Sequence, residues 1–378
     1  MGISGLLPLT KEAQNNVHIS QFSGKTLGID GYVWLYKGAF SCCQDIALGI
    51  PTKRHIQYSL NQIKMLSHFG VSCYFVFDGN SLPSKIHTDL ERASSKKINL
   101  EKALSELKNG RKKDAFSYFQ RSINMSPLLA KDLIDELKKL NIKYVVAPYE
   151  ADAQLAYLER VELIDGIITE DSDLIAYGCK KIIYKLDIKG SCVLFDRSLM
   201  SNIKQLSFKG WDDDLFRKLC ILSGCDYLPA VPGIGIKRSY KYLLKSKNIQ
   251  KLVQILKIEG FNVPQNYVDE FQRAEKTFLY QKVYDPIQKK IISLEKIRPE
   301  HISENLDYSG VLVDDDLAFK IATGEIDPVT MTPFNISHNN ENIKTDYKGI
   351  KPIKQVLLTT WVQPNSSKQS KLNLIITI

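Results

Sequence analysis

The stretch KYVVAPYEADAQLAYLERVELIDGIITEDSD, residues 143–173, combines two short apolar runs with one helical pattern. The runs at Lys143–Ala147 and Gly166–Thr169 lack polar alternation, which is typical of strands buried on both faces of a parallel sheet. The intervening residues 150–160 form a helical pattern. A strand, a helix and a second strand in this order predict one unit of an α/β domain.

The same alternation extends through the first 200 residues. We expect an α/β fold with a mostly parallel central sheet flanked by helices. Further strands are predicted at Thr26–Asp30, Cys73–Asp78, Ile182–Leu186 and Cys192–Phe195. Helices are predicted near 52–69 and 128–140 and, where the pattern becomes mainly helical, at 212–223, 236–245, 249–257 and 265–281.

Composition excludes several classes of protein. The 378 residues are 44% hydrophobic and 25% charged, which is ordinary for a globular chain. No run of about 18 apolar residues is present, and the first residues lack the pattern of a secretory signal, so we expect no membrane association. The seven cysteines have no paired C-x-x-C spacing, which favours reduced intracellular thiols and argues against a zinc site.

The formal net charge of +9 is unevenly distributed. Residues 80–125 hold ten Lys and Arg against five acids, and residues 331–378 hold six against two. The first stretch is helix-compatible around a break at Gly110, and it is either a solvated pair of surface helices or a basic insertion beside the sheet. The second stretch predicts a flexible tail. A basic excess favours a polyanionic partner.

Acidic residues occur where the predicted strands end. Because the carboxyl ends of parallel strands share the edge of a sheet where ligands bind, we expect these side chains to meet. A single acid after a strand is often only a turn former or a helix N-cap. Repetition at four successive strand ends is poorly explained in that way. The set is Asp30, Asp78, Glu150, Asp152, Asp171 and Asp173, with Asp226 after a helical segment as a seventh member.

The chemistry of this acidic set favours hard cations. Clustered carboxylates repel one another and cannot all stay ionised without cations. Oxygen ligands without His or Cys indicate Mg²⁺ or Mn²⁺. Because one Mg²⁺ usually takes one or two carboxylates, the set suits two ions roughly 3.5–4 Å apart, an arrangement that serves in-line displacement at phosphorus. The sequence therefore predicts a two-metal centre that cleaves phosphodiesters.

A glycine-containing loop, VPGIGIKR at residues 231–238, leads into a predicted helix. Gly233 and Gly235 allow backbone N–H groups to approach a phosphate closely, and Lys237 and Arg238 add positive charge. Taken alone, the loop is as well explained as a corner between two helices. Its position soon after Asp226 favours a sequence-independent grip on a duplex backbone.

Five motifs in this order resemble those of the structure-specific 5′ nucleases, the flap endonuclease and XPG–Rad2-like family. The resemblance extends from residue 1 to about residue 330 and implies a PIN-like nuclease fold. Asp152, Ser172 and the segments 278–286 and 308–328 favour its exonuclease branch. The motifs are GIDGY (28–32), VFDG (76–79), VAPYEADAQLAYL (146–158), ITEDSDLIAYGC (168–179) and CILSGCDYLPAVPGIG (220–235).

The resemblance also implies a division of the chain into regions. These are an N-terminal nuclease region (1–99), a helical gateway or arch insertion (80–125), an internal nuclease region (138–227), a helix–two-turn–helix DNA-binding and closing region (228–330) and a flexible basic tail (331–378).

The family assigns roles to matching positions. The seven acids would hold two Mg²⁺, for which Mn²⁺ can substitute, and Asp173 would be catalytic. Lys85 and Arg92 would bind DNA and stabilise charge on the scissile phosphate. The remaining expected DNA contacts are Gly2 beside the cut strand, Tyr36 stacked on the adjacent nucleotide (or else a core tyrosine), and Gly233, Gly235, Lys237 and Arg238. A K⁺ ion is expected near Ser223 and Ile234, although Ala230 departs from the Ser common in relatives.

The implied function is a Mg²⁺-dependent 5′→3′ double-stranded DNA exonuclease with 5′-flap endonuclease activity in the nucleus, serving mismatch repair and recombination end resection. The expected partners are duplex DNA with 5′ ends, nicks, gaps or flaps, and mismatch-repair proteins. A degenerate sliding-clamp box lies at Gln355–Val362, where an ordinary apolar tail segment is the simpler interpretation. The alternatives are a dedicated flap endonuclease, a non-catalytic DNA-junction scaffold and an RNA-directed nuclease.

Overall fold

The computed structural model describes residues 2–334, whose centre is a seven-stranded sheet. Its strands are β1 (Gln14–His18), β2 (Thr26–Asp30), β3 (Ser72–Phe77), β4 (Lys143–Val146), β5 (Gly166–Ile168), β6 (Lys181–Tyr184) and β7 (Ser191–Asp196). From one edge to the other the order is β4-β3-β2-β5-β6-β7-β1. The strands from β4 to β6 are parallel, whereas the β6–β7 and β7–β1 pairs are antiparallel. The predicted α/β fold with a mostly parallel sheet is confirmed.

Helices flank the sheet and form most of the chain after β7. They are α1 (Leu6–Leu9), α2 (Gly31–Ala39), α3 (Cys43–Ala47), α4 (Gln57–His68), α5 (Ile86–Lys108), α6 (Lys112–Ser122), α7 (Pro127–Lys139), α8 (Ala151–Arg160), α9 (Asp173–Ala176), α10 (Asp213–Leu222), α11 (Ile236–Lys245), α12 (Ile249–Ile258), α13 (Tyr267–Tyr280) and α14 (Asp315–Ala322). A small antiparallel hairpin, β8 (Lys282–Asp285) and β9 (Lys290–Ser293), follows α13. Within residues 2–334, no helix has the length and apolar character needed to cross a membrane.

The strand order creates a switch point at the middle of the sheet. From β2 the chain proceeds outward through β3 to β4, and it then returns to the other side of β2 to form β5 and β6. In the β2–β5 pair, Ile29 lies beside Ile168, so both strands end at the same level. A crevice at the carboxyl ends of such strands is where open α/β sheets bind ligands. The fold therefore places its principal candidate site at the ends of β2 and β5.

The two faces of the sheet are both covered by apolar side chains. In β3, Tyr74 and Val76 face one core, whereas Phe75 and Phe77 face the other. Because successive side chains of a strand point to opposite faces, a strand covered on both sides carries apolar residues throughout. Gly28 in β2 permits especially close packing, since a Cβ there would lie 2.5 Å from the Ile164 side chain.

The basic stretch 80–125 forms a helix pair. The helices α5 and α6 are separated at Gly110, which has a φ of +76° and so adopts the left-handed conformation that favours glycine. Along its 23 residues α5 fully buries only Ala103, whereas α6 buries Ala115 and Phe119. This stretch therefore forms two helices, and the first of them is mostly exposed.

Three strands were missed by the sequence analysis. The segment β1 (QNNVH) is polar because it lies at the edge of the sheet, paired only with β7. The hairpin of β8 and β9 follows the predicted helix 265–281 without a turn signal of Gly or Asn, and its first strand is fully buried. These segments thus form strands because they pair with other segments of the chain, and their local sequence pattern does not predict this.

The buried face of β3 leads to a stability prediction. We expect Phe75→Ala to lower the free energy of unfolding by about 3–5 kcal/mol, because this side chain is fully buried and packs edge-to-face on Trp34. Urea denaturation measures the change. The matched control is Phe116→Ala on α6, where the ring is 40% exposed and the expected loss is below about 1 kcal/mol. Equal losses in the two variants would contradict the assignment of this core.

Candidate active site

Asp30 joins the ends of the two central strands. Its Oδ1 accepts a hydrogen bond from the Val33 N–H at 3.1 Å and so caps α2. Its Oδ2 accepts a hydrogen bond from the hydroxyl of Thr169, just beyond β5, at 3.2 Å. Asp30 is therefore an N-cap, as the simpler interpretation of the sequence allowed, and it also lies in the crevice at the switch point.

Backbone amides orient three more of the acids. The Ala151 N–H, at the start of α8, donates to Asp78 Oδ1 at 2.7 Å. The Ile3 N–H donates to Asp173 Oδ1 at 3.0 Å, and the Asp173 N–H donates to Asp171 Oδ1 at 3.1 Å. Each carboxylate keeps a second oxygen that these amide contacts do not use.

Gly2 lies directly on this acidic cluster. Its φ is +86°, and a Cβ built on it would lie 2.2 Å from Asp171 Oδ1 and 2.6 Å from Asp173 Oδ1. Any side chain would therefore collide with both carboxylates as well as being strained in this conformation. Only glycine allows the N-terminal segment to approach the acids this closely.

Two cationic side chains of the basic insertion contact the acids. The Lys85 ammonium lies 2.5 Å from Glu150 Oε1 and 2.8 Å from Asp226 Oδ2. The Arg92 guanidinium Nη2 lies 2.8 Å from each carboxylate oxygen of Asp226. The Thr88 hydroxyl adds a hydrogen bond to the Asp226 carbonyl at 2.8 Å. The start of α5 is thus tied to the site by ionic and polar contacts.

The pKa values divide the acids into two groups. Burial, reinforced by Asp78, raises the pKa of Asp30 to about 7, and burial raises the pKa of Asp78 to about 6. Burial and the nearby Asp171 raise the pKa values of Asp152 and Asp173 well above their usual range. Burial has the same tendency at Asp226, but there Lys85 and Arg92 outweigh it, so the pKa of Asp226 is lowered. Most of the cluster therefore lacks sufficient positive charge.

The donor set fits hard divalent cations. Seven carboxylates face two cationic side chains, and no thiol or imidazole takes part in these contacts. In the described part of the chain, no three acidic, Cys or His side chains close around one point as a ready ligand set. Lys85 and backbone amides hold several of the oxygens instead. The number of ions and the ligands of each remain a prediction.

Sequence analysis missed the groups that hold Glu150. The Tyr227 hydroxyl and the Gln281 amide both donate to Glu150 Oε2, the latter at 2.9 Å. Tyr227 follows Asp226 directly, and Gln281 lies in the segment FLYQKVYDP. The only available signal was their presence in the family motifs, because neither residue type is a typical metal ligand.

Tyr36 lies on α2 and faces the basic insertion. It is half-buried, and its hydroxyl accepts a hydrogen bond from Lys96 on α5 at 3.1 Å. The Lys96 ammonium also lies 5.7 Å from the centre of the ring. Tyr36 is therefore not a fully buried core residue, and Lys96 is a further cation at this entrance that sequence analysis did not single out.

The glycine-containing loop forms a separate part of the surface. Gly233 has a φ of +84°, and Gly235 precedes α11 without a side-chain cap. Lys237 and Arg238 are exposed, and the Arg238 guanidinium donates to the Gly233 carbonyl at 2.6 Å. No polar contact within residues 2–334 connects either cation to the seven acids.

The two residues predicted near a K⁺ ion are both buried. The Ser223 hydroxyl donates to the Leu219 carbonyl at 2.6 Å. The Ile234 N–H donates to the Val231 carbonyl at 2.8 Å. These contacts stabilise the turns on either side of Ala230 and do not by themselves define an ion site.

Comparison with known proteins identifies the family. Residues 1–99 match the XPG N-terminal domain and residues 141–226 match the XPG I-region. The DNA damage-inducible protein DIN7 of Saccharomyces cerevisiae is 34% identical over 299 residues, which cover 79% of this chain and 70% of that protein. The chain belongs to the XPG family. The family predicted from the motifs is thereby confirmed.

Other relatives refine this placement. Exonuclease 1 of Arabidopsis thaliana is 42% identical over 346 residues, which cover 92% of this chain and 47% of that protein. The chain spans about half the length of the exonuclease 1 relatives that it matches. The likeness to the exonuclease branch is confirmed. The solved catalytic core of Rad2 in complex with DNA substrate supports the fold, with a TM-score of 0.55 and 18% identity over 85% of this chain and 98% of that chain.

The repulsion within the cluster leads to a testable consequence. We expect Asp152→Asn to raise the free energy of unfolding by at least about 1 kcal/mol in a metal chelator at neutral pH. A raised pKa means that the folded chain resists ionisation of this carboxyl, and asparagine removes the charge. Urea denaturation measures the gain.

The matched control is Asp165→Asn. Hydrogen bonds from Thr26 and Lys25 outweigh burial at Asp165 and lower its pKa, so its replacement is expected to cost up to about 1 kcal/mol. A loss of stability in Asp152→Asn as large as that in the control would contradict the electrostatic interpretation.

Proposed function

We propose that this chain is a Mg²⁺-dependent 5′→3′ exonuclease of double-stranded DNA that also cleaves 5′ flaps. The observation that carries the proposal is a cluster of buried acids beside two cations at the carboxyl ends of the central strands. Lys85 contacts Glu150 and Asp226, and Arg92 contacts Asp226. Membership of the XPG family and the similarity to proteins named exonuclease 1 support the same activity.

The proposed metal ligands are the seven acids. Two Mg²⁺, or Mn²⁺ in their place, would be held by Asp30, Asp78, Glu150, Asp152, Asp171, Asp173 and Asp226. When bound, such ions supply Lewis-acid activation for the attack of water at phosphorus. Their charge also relieves the repulsion that raises the pKa values of Asp152 and Asp173.

The cations of the insertion would orient the scissile phosphate. Lys85 offers a compact charge and Arg92 a planar fork of donors that matches phosphate oxygens. Lys85 contacts Glu150 and Asp226, and Arg92 contacts Asp226, so both cations lie beside the acids that would hold the metal ions. Tyr36 would stack on the neighbouring nucleotide, and Gly2 would allow the cut strand to approach the acids.

The loop 231–238 would bind the duplex at a point distant from the cleavage site. The N-terminus of α11 has no side-chain cap, so its first N–H groups are available to a phosphate. Gly233 and Gly235 permit close approach, while Lys237 and Arg238 supply charge. We extend the proposal to a K⁺ ion near Ser223 and Ile234, which the family resemblance alone supports.

The proposed setting is DNA repair in the nucleus. The substrates would be duplexes with 5′ ends, nicks, gaps or flaps, in mismatch repair and in resection of recombining ends, with mismatch-repair proteins as partners. The sliding-clamp box predicted at Gln355–Val362 and most of the tail 331–378 lie outside the described residues. The region boundaries 1–99, 80–125, 138–227 and 228–330 remain part of this proposal.

A dedicated flap endonuclease is the second candidate, because Tyr36 is the residue typical of that branch of the family. A panel of DNA substrates separates the two activities. We expect cleavage of recessed and blunt 5′ ends at rates comparable to that of a double flap. Strong preference for the double flap would favour the second candidate, and binding without any Mg²⁺-stimulated hydrolysis would favour a junction scaffold.

Asp173→Ala tests the metal-dependent chemistry. We expect the cleavage rate to fall by more than the roughly 10- to 100-fold that is typical when a residue behind a metal ligand is removed. DNA binding should be largely kept. The measurements are single-turnover cleavage and fluorescence anisotropy with the same duplex. Asp165→Ala, on the exposed Lys25 pair, serves as the control with normal cleavage. Normal cleavage combined with lost binding in Asp173→Ala would contradict the assignment.

Lys237→Ala tests the duplex grip. We expect weaker binding by a similar factor for all DNA sequences, and a salt dependence shallower by about one in the slope of log K against log salt concentration. Anisotropy titrations at several salt concentrations measure both quantities. Lys143→Ala, at the opposite, amino end of β4, is the control. An unchanged salt slope in Lys237→Ala would exclude a phosphate contact by this side chain.

A further inference from the structure

The C-terminal end of α13 contacts the acidic cluster at Glu150, on the oxygen that does not contact Lys85. Gln281, the C-cap residue directly after this helix, is fully buried, and its side-chain Nε2 donates to Glu150 Oε2 at 2.9 Å. Its Oε1 accepts a hydrogen bond from the Tyr177 hydroxyl at 2.6 Å. Both ends of the amide are therefore engaged, and the reverse orientation would place its oxygen against a carboxylate.

Tyr227 completes this arrangement. Its hydroxyl donates to the same Glu150 oxygen and lies 2.8 Å from the Tyr177 hydroxyl. The ring of Phe278, on α13, packs edge-to-face on Tyr177 and on Tyr227, with centroids 4.9 Å apart in both pairs. Packing and hydrogen bonds thus fix the hydroxyls together with the amide.

The two oxygens of Glu150 consequently differ. Oε2 accepts hydrogen bonds from Gln281 and Tyr227, whereas Oε1 has Lys85 as its one polar partner within residues 2–334. Donors on one oxygen set the rotation of a carboxylate and the direction of the other. The network behind Glu150 therefore sets the direction of Oε1.

The same helix also holds the residue before Lys85. The Thr277 hydroxyl, one turn before Gln281, lies 3.2 Å from the Ser84 hydroxyl, which donates to the Tyr308 carbonyl at 2.9 Å. The partners of the Lys85–Glu150 ion pair are thus both supported by one face of α13. This helix lies about 130 residues away from Glu150 in the sequence, with Gln281 separated from it by 131 positions.

We propose that Gln281 is a positioning residue that, with Tyr227, presents Glu150 Oε1 to a divalent cation. This inference rests on the proposed function, since it assigns to Glu150 the role of a metal ligand. Gln281 contacts neither the cation nor the DNA, and it acts through the orientation of Glu150. Loss of such an outer contact typically lowers metal affinity by about 10- to 100-fold.

The test measures Mn²⁺ binding to the whole chain without DNA, by the electron paramagnetic resonance signal of free Mn²⁺. We expect Gln281→Met, which keeps the volume and removes both hydrogen bonds, to raise the Kd for Mn²⁺ by about 10-fold or more. Tyr227→Phe, which deletes one hydroxyl, is the milder variant if the first fails to fold. An unchanged Kd in a folded variant overturns the proposal.

Gln154→Met is the matched control. Gln154 is also fully buried and makes two hydrogen bonds, but both go to the backbone of Tyr284 in β8 and none to a carboxylate. We expect its replacement to lower thermal stability while leaving the Kd for Mn²⁺ unchanged. Equal weakening of Mn²⁺ binding by both glutamine variants would reduce the effect to general destabilisation and overturn the proposal.

A double-mutant cycle with Glu150→Gln tests the route of the effect. If Gln281 acts through Glu150, then Gln281→Met causes little further loss of Mn²⁺ affinity once the carboxylate is gone. An additive loss overturns this route. If the variants change the Kd for Mn²⁺ as expected but the unmodified chain does not cleave DNA, only the proposed nuclease function is contradicted. If the unmodified chain cleaves DNA and Gln281→Met binds Mn²⁺ with an unchanged Kd, only the positioning role is contradicted.

Discussion

Repulsion among carboxylates at the switch point is the constraint around which this molecule is arranged. The sheet brings Asp30 at the end of β2 close to Asp171 beyond β5, and burial makes their charges costly. Much of the surrounding structure lowers that cost. Backbone amides donate to Asp78 and Asp173, and Lys85 inserts between Glu150 and Asp226. The remaining demand for positive charge is what a divalent cation would satisfy.

The excess of negative charge among the acids also helps to fix the position of the basic insertion. Since α5 buries little apolar surface, its first turns are fixed mainly by the contacts of Lys85, Thr88 and Arg92 with the acids. Contacts of this kind weaken when cations or phosphate compete for the same groups. The start of α5 is therefore held in part by groups for which a cation or a phosphate in the crevice would compete.

Support for the crevice comes from parts of the chain that are far apart in sequence. Gly2 lies on Asp171 and Asp173, while Gln281 lies behind Glu150. The N-terminal segment and the closing helix α13 thereby enclose the acids from opposite ends of the chain.

The sequence predictions succeeded best where the residues adjacent in sequence determine the local structure. Buried strands such as β2 and β3 were found because parallel strands covered on both faces need continuous apolar runs. The acids were found because they follow those runs. By contrast, β1 was missed because a polar edge strand has no local signature, and Tyr227 and Gln281 were missed because their role depends on Glu150 alone.

The sequence by itself determined the class of fold, the family and the identity of the acids, since each of these is encoded in short stretches of local pattern. Only the tertiary structure decided which oxygen of each acid is engaged and by which partner. Strand order, the packing of α8 on Gly28 and the approach of α13 set those contacts. Several of them join residues between 65 and 170 positions apart in the sequence, and no local spacing can specify them.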